Sequence, residues 1–316
     1  MSLPYFPLMS DAYEMPMNAQ AGVLSLIEVE ESRYLEEIVL KNEILASDID
    51  YYFQCPTDCE PLAWEAIELL LPHMSEALPH YFSLERKEAR WKWKNNLLET
   101  ETNFTLGDSQ SLPLSPLDWI GREMQEDLIL MRETETGDSI CAAGQLCFGS
   151  AWSLGEKLGR SFLETHDPVP EFRERIGATS DLLMRRLKPE RPVSRLNWSV
   201  TSASRLNLAP KLKHEWQRSR EGITPENVGS RIFFRVERQT LTRLPKTRGI
   251  LFTIHTYIDP LEEAISDPAR LKRLTSVLRD YPESMKLYRG MTPYFDTLLG
   301  YLEKRIERLI VTTHPL

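Results

Sequence analysis

The stretch from residue 194 to residue 257 constrains this chain most, because three strand-like runs there each carry a row of polar or charged residues. They read Ser194-Arg-Leu-Asn-Trp-Ser-Val200, Ile232-Phe-Phe-Arg-Val-Glu-Arg-Gln-Thr-Leu241 and Ile250-Leu-Phe-Thr-Ile-His-Thr-Tyr257. Successive side chains on a strand point to opposite faces. One parity of the first run holds Leu196, Trp198 and Val200, and the other Arg195, Asn197 and Ser199. In the second run Phe233, Arg235, Glu237, Gln239 and Leu241 share one face, while Phe234, Val236, Arg238 and Thr240 share the other. The third splits into Ile250, Phe252, Ile254 and Thr256 against Leu251, Thr253, His255 and Tyr257. If neighbouring strands align these rows, an Arg, a Glu, an Asn and a His converge on one sheet surface. That surface is either solvated or a polarised pocket, and function turns on which.

Composition narrows the setting. The chain has 316 residues, 41% hydrophobic and 9% aromatic, enough for one large domain or two modest ones with a real core. A net charge of −9 argues against non-specific nucleic-acid binding, which needs clustered cations facing phosphate. The short basic runs at 185–186 and 211–213 are mixed with acids and read as solvated faces. No apolar run approaches the ~18–20 residues of a membrane helix. The start, Met1-Ser-Leu-Pro-Tyr-Phe-Pro, lacks the basic and apolar segments of a secretory signal. Cys55, Cys59, Cys141 and Cys147 do not make a disulfide framework, and the Cys55/Cys59 spacing without a second pair is a weak metal signal. A reducing cytoplasm is the expected compartment.

Periodicity predicts helices at 32–45, 61–71 (ended by Pro72) and 84–98, the last strongly charged yet carrying Trp91 and Trp93. Residues 99–116 read as a loop and a subdomain boundary. A short helix at 117–125 precedes two strands, 127–133 and 139–148, joined by a turn at Gly137-Asp138. Helical segments follow at 153–163 and 171–187, separated by His166-Asp-Pro-Val-Pro170. The three polar-rowed strands come next, with a long polar connection at 201–231, and helices at 268–280 and 294–310 close the chain. The order strand, strand, helices, strand, strand, strand is that of a PAS domain. The expected fold class is therefore α+β: a PAS-like five-stranded antiparallel sheet with a helical crossover, elaborated by N-terminal and C-terminal helices. The expected regions are a mostly helical 1–110, a PAS-like core at 111–262 and C-terminal helices at 263–316, packed as one unit.

Several segments also carry a family likeness. Gln125-Glu-Asp-Leu, Leu146-Cys-Phe with Trp152-Ser-Leu-Gly-Glu-Lys-Leu-Gly159, His166-Asp-Pro-Val-Pro170, Arg195-Leu-Asn-Trp198, Arg235-Val-Glu-Arg-Gln-Thr-Leu-Thr-Arg-Leu-Pro245 and Phe252-Thr-Ile-His-Thr-Tyr257 resemble the haem-dependent oxidative N-demethylase alpha-subunit family. The Pro4-Tyr-Phe start and Leu26-Ile-Glu-Val-Glu-Glu look similar too, and Arg-Val-Glu-Arg-Gln-Thr-Leu is the specific part. The resemblance implies a PAS fold that binds haem b and oxidises a small secondary amine, such as dimethylamine, with O₂. It also implies electrons from a separate reductase subunit carrying flavin and an iron–sulfur cluster, since this chain has no dinucleotide-binding glycine loop and no four-cysteine signature. The chain departs from the family pattern at Gly149, where a proline is usual, and at His255, where an arginine is frequent.

A haem iron needs an axial donor, usually a neutral imidazole in oxygen-binding sites. His73, His80, His214 and His314 lie outside the PAS-like part; His166 and His255 lie inside it. His166 is the first choice, because the crossover supplies the ligand in haem PAS sensors, and His255 is the second. The plain alternative for His166 is an imidazole bonding loop carbonyls. Oxygen activation further asks for donors and a proton-handling group. Arg195, Arg235 and Arg238 are candidate donors, and Glu237 is the candidate to hold a dialkylammonium or take its proton. Asn197 and Tyr257 are candidates for bonding the substrate or a haem propionate. An ion-pair network with no ligand is the plain alternative for this set. A haem or small-ligand sensor, and a cofactor-free interaction protein, are the rival functions; Gly-x-Ser-x-Gly, His-Glu-x-x-His and P-loop motifs are lacking.

Overall fold

The β-branched and aromatic residues that alternate along the three polar-rowed runs do form strands, and they set the centre of the molecule. The computed structural model describes residues 3–22, 25–189 and 191–313. In chain order the strands are β1 (Gln20–Ala21), β2 (Phe53–Gln54), β3 (Phe82–Lys87), β4 (Arg90–Asn95), β5 (Thr100–Thr105), β6 (Asp127–Glu133), β7 (Ser139–Gln145), β8 (Val193–Thr201), β9 (Phe233–Arg243) and β10 (Ile250–Pro260). Among the described residues they make a seven-stranded sheet, in the order β1-β8-β9-β10-β6-β7-β2, and a three-stranded sheet, β3-β4-β5. Every pairing in both sheets is antiparallel. The expected five strands are the long ones in the middle of the large sheet. The two-residue ribbons β1, on β8, and β2, on β7, bring the total to seven.

The largest departure from expectation is at residues 84–98. They form no helix but most of the β3-β4-β5 meander. Along β4 exposure alternates strictly, with Trp91, Trp93 and Asn95 buried, which is the period of a strand. Trp93 stacks on Phe82 at 5.3 Å, and Trp91 meets Phe104 at 6.0 Å. The tryptophans were thus marking a second small sheet, and the expected loop at 99–116 supplies its last strand. The helix expected to stop at Pro72 runs as Glu60–Ala77. Burial of Leu70, Leu71 and Met74 offsets the N–H bond that an internal proline removes. The helix expected at 153–163 is two single turns, Leu154–Lys157 and Phe162–Thr165, and that at 171–187 is a π-helical turn leading into Ala178–Arg186. A helix at Glu283–Arg289 was not anticipated.

The large sheet is covered on both sides. One face, here the crossover face, carries the Ala178–Arg186 helix, whose Met184 and the following Leu187 pack with Val193, Leu241 and Ile250. Leu146 and Leu154 pack with Ile129 and Cys141 on the same side. The opposite face is shared. Leu128, Leu130 and Leu251 join Leu62, Ile67 and Leu70 of the Glu60–Ala77 helix. Val200, Phe234 and Val236 join Leu271, Leu274 and Leu298 of the C-terminal helices.

Two buried groups tie β6 into this arrangement. Lys41, from the Glu31–Ser47 helix, is fully buried and donates to the carbonyls of Gly121 (2.9 Å), Met124 (3.1 Å) and Glu126. The Asp127 carboxylate accepts from the amides of Cys147 (2.8 Å) and Phe148 (2.7 Å), fixing the chain as it leaves β7. Burial pushes the Asp127 carboxyl up to about 6, against the pull of Lys41, both amides and Arg235. Between about pH 4 and about pH 6 the folded protein therefore keeps a proton that the unfolded chain has released, and this residue's contribution falls as pH rises through that window. We expect the stability difference between wild type and Asp127→Asn to move toward the variant by roughly 2–3 kcal/mol over the same window. Urea unfolding at a series of pH values checks this, and a pH-independent difference would contradict it.

Candidate functional site

Strand β9 is buried along nearly its whole length although it carries Arg235, Glu237, Arg238 and Arg243. Buried charge survives only where it is paired or hydrogen-bonded. Each arginine satisfies this by holding a different segment. Arg235 donates to the carbonyls of Leu206 (2.8 Å) and Phe148, to the Thr256 hydroxyl (3.3 Å) and to Glu237 (3.4 Å). Arg238 pairs with Glu28 (2.9 Å) and donates to the Ser25 carbonyl (2.6 Å). Arg243 donates to Met184 O (2.6 Å), Leu187 O (3.3 Å) and Arg248 O (2.7 Å), and pairs with Glu133 (3.2 Å).

The register sorts the polar rows. Asn197 and Thr256 lie opposite Glu237, Arg195 and Ile254 lie opposite Gln239, and Ser199 lies opposite Arg235. Arg195, Asn197, Arg235, Glu237 and Gln239 therefore share the crossover face. Arg238 lies opposite both His255 and Leu196, and Tyr257 lies opposite Val236, so Arg238, His255 and Tyr257 share the other face. The four-way convergence of Arg, Glu, Asn and His fails at the histidine. A sheet stands between His255 and Glu237, and no single ligand touches both sets.

On the crossover face Glu237 Oε2 accepts from Asn197 Nδ2 (3.2 Å) and Gln239 Nε2 (3.0 Å), and Oε1 from Arg235. Arg195 Nε is buried with no partner. His166 follows the single turn Phe162–Thr165, whose start is fixed by a Ser161/Glu164 capping box. Its Nδ1 lies 2.8 Å from Phe162 O and 3.0 Å from the Thr165 hydroxyl. A carbonyl only accepts, so Nδ1 carries the ring proton and Nε2 keeps its lone pair. The ring lies between Phe162 (4.4 Å) and Phe172 (4.4 Å, nearly parallel). Burial pushes His166 down to about 4; the Phe162 carbonyl opposes this, and the Arg195 and Lys157 charges add to it. The imidazole is neutral at physiological pH. The loop-carbonyl alternative and the ligand reading thus coexist on the two ring nitrogens.

The opposite face holds a different cluster. His255 is fully buried, with Nδ1 3.0 Å from Glu126 Oε1, and its ring stacks on Tyr257 at 4.4 Å. Burial disfavours the imidazolium, but Glu126 outweighs it and holds His255 above its ordinary value. Glu28 accepts from Tyr257 (2.6 Å) and from Tyr5. Glu28 and Glu126 escaped notice in the sequence, although each lies in a segment that carries the family likeness. Their charged partners, Arg238 and His255, are about 130 residues or more away, beyond any local spacing rule. Among the other histidines, His73 accepts from the Leu26 amide (2.9 Å), and His314 lies outside the described residues.

Two groups on the crossover face have the chemistry that a haem asks for. His166 offers a neutral nitrogen whose partner nitrogen is anchored to a carbonyl, the form that binds metal. The Arg195 charge is felt at His166, and its Nε is buried with no acceptor, a spare donor of the kind an anionic macrocycle edge requires. His255 fits poorly, since Glu126 claims one ring nitrogen and favours the protonated ring. His255→Leu should instead cost about 3–5 kcal/mol in urea unfolding, because Glu126 is left buried without its partner. His166→Leu, which strands no charge, should cost less; equal losses would contradict this division.

The comparison with known families agrees with the segments quoted above. A model for the haem-dependent oxidative N-demethylase, alpha subunit-like proteins matches residues 20–299, from β1 into the last helix. A match over this much of the chain places the protein in the haem-dependent oxidative N-demethylase alpha subunit-like family.

Proposed function

We propose that this chain is the haem-bearing subunit of an oxidase that removes a methyl group from a small secondary amine, such as dimethylamine, using O₂. In this reading the cofactor is haem b, bound between the crossover and the sheet. Electrons come from a separate subunit carrying flavin and an iron–sulfur cluster. The family supports haem-dependent N-demethylation in general. The single observation that carries the assignment to this chain's own residues is His166: neutral, ring-stacked, tied at Nδ1 and free at Nε2. The five long strands, counted from β6, lie in the order 3-4-5-1-2 across the sheet. Read from the other edge this is the 2-1-5-4-3 order of a PAS sheet, which supports the PAS-like reading, with the expected regions packed as one unit.

When bound, the haem supplies oxygen binding and activation. The remaining work falls to side chains. Glu237 holds the protonated amine at its carboxylate and accepts the ammonium proton, because a free nitrogen lone pair is needed before the methyl group is oxidised. Asn197 and Gln239 orient that carboxylate, and Arg235 keeps it in place while spending its own donors on backbone carbonyls. Arg195 would supply a cation to balance the charge of the haem. Arg238, His255 and Tyr257 act from behind the sheet, holding the N-terminal segment over it through Glu28, Ser25 and Glu126.

Reconstitution with haem should give a Soret band, and His166→Ala should abolish or strongly shift it. No band in the reconstituted wild type, or an unchanged spectrum in the variant, would sink the reading or the ligand assignment respectively. Glu237→Gln should keep the band but lose the dimethylamine-induced Soret shift, and demethylation should fall by about 100-fold or more. A normal rate in that variant removes Glu237 from the proton step.

A further inference from the structure

The small sheet ends on an open edge. β5 pairs with β4 on one side and has no strand on the other among the described residues. The Leu106 amide donates to the Ala89 carbonyl in the same register, so residues of even number in β5 are bonded to β4. The N–H and C=O groups of odd-numbered residues turn outward. Ser111 closes that edge at Thr105, accepting from its amide (2.9 Å) and donating to its carbonyl (3.2 Å). Glu101 and Asn103 have no such partner among the described residues, and both are exposed. Their backbone groups form a free row along the rim of the sheet.

A groove of about 380 Å³ runs beside this edge, lined by Thr100 and Thr102 of β5, Leu35 and Val39 of the Glu31–Ser47 helix, Leu98 and Trp119. Leu35 and Val39, one helical turn apart, are 58% and 47% exposed although apolar. The inner face of β5 loses its cover toward the same place: Phe104 is buried, Thr102 half-buried and Thr100 exposed. The rim is acidic. Glu36 and Glu43 flank the Leu35–Val39 stripe on its solvent side, and Glu99 and Glu101 stand on the strand side, all four exposed. Arg122 lines the groove but is held by Asp118 (2.8 Å) and Asn42 (2.6 Å), and Lys92 meets Glu101 (3.1 Å) from the β4 side.

An unpaired strand edge is a template for another strand, and an apolar groove beside it selects alternate side chains. We propose that this edge and groove dock an extended segment of a partner protein, added antiparallel to β5, with apolar residues at alternate positions and Lys or Arg between them. Directly opposite residues of an antiparallel pair share a face. Partner residues bonded to Glu101 and Asn103 therefore point away from the groove, where a cation meets the Glu101 carboxylate, and the residues between them enter it. A second copy of this chain fits less well, because it sets one acidic rim against another in a chain of net charge −9. The inference stands independently of the haem reading.

The test titrates a synthetic probe, acetyl-Lys-Val-Lys-Val-Lys-Val-Lys-amide, into the wild-type protein by calorimetry and follows amide hydrogen exchange. Binding should slow exchange at Glu101 and Asn103 by about 10-fold or more. A peptide of the same composition with Lys and Val in separate blocks, and one with Glu in place of Lys, should each bind about 10-fold or more weakly. Methylating the backbone nitrogens of the Lys residues, which face β5, should abolish binding, and methylating those of the Val residues should not. Asn103→Pro removes an outward N–H and leaves the β4 ladder whole, so it should weaken the probe by a similar factor, as should Val39→Lys. The peptide series needs no substitution in the protein, so a variant that misfolds does not spoil it. No binding at millimolar probe, equal binding of the block peptide, or equal effects of the two methylations overturns the inference. So does a wild-type dimer in sedimentation that Asn103→Pro dissolves, which assigns the edge to a second copy.

Discussion

Three arginines buried in one central strand govern how the rest of this molecule is put together. Arg235, Arg238 and Arg243 sit on β9, and none has enough partners within its own strand. Each draws carbonyls or carboxylates from a remote part of the chain: the 201–231 connection and the end of β7, the N-terminal segment, and the Ala178–Arg186 helix with the turn before β10. Removing a buried charge's partner is far costlier than losing a surface contact. The elements that supply those partners are therefore tied to the sheet by hydrogen bonds and ion pairs in addition to the hydrophobic clusters.

The alternation of β9 also divides the labour. Side chains of odd number face the crossover, where Glu237 is oriented by Asn197, Gln239 and Arg235. Those of even number face the N-terminal and C-terminal helices, where Arg238 works with His255, Tyr257, Glu28 and Glu126 in an ionic network. Unpartnered buried atoms remain on both sides: Arg195 Nε among the crossover-face residues, and Arg238 Nη1, His255 Nε2 and Glu126 Oε2 on the other.

The strands and the site were unevenly legible in the sequence. The boundaries of β6, β8, β9 and β10 followed from short-range alternation and fell within three residues of those observed. Residues 84–98 misled because charged residues at helical spacing masked the period-two burial of Trp91 and Trp93, which only their partners Phe82 and Phe104 reveal. His166 drew attention through its segment, yet its suitability as a donor depends on a turn that places Phe162 O at Nδ1. Glu28 and Glu126 carry no mark beyond the family-like segments that hold them, and their meaning comes from the charges they meet in space.

What the sequence determined by itself is local: where strands run, which side chains share a parity, and a family likeness spread over most of the chain. What only the tertiary structure decided is which parity belongs to which chamber. A strand's two faces are equivalent until a register is set against neighbours, and here that register depends on partners dozens to hundreds of residues away. Placing Arg195 with Glu237, and His255 behind them with Glu126, is a result of packing that no spacing along the chain contains.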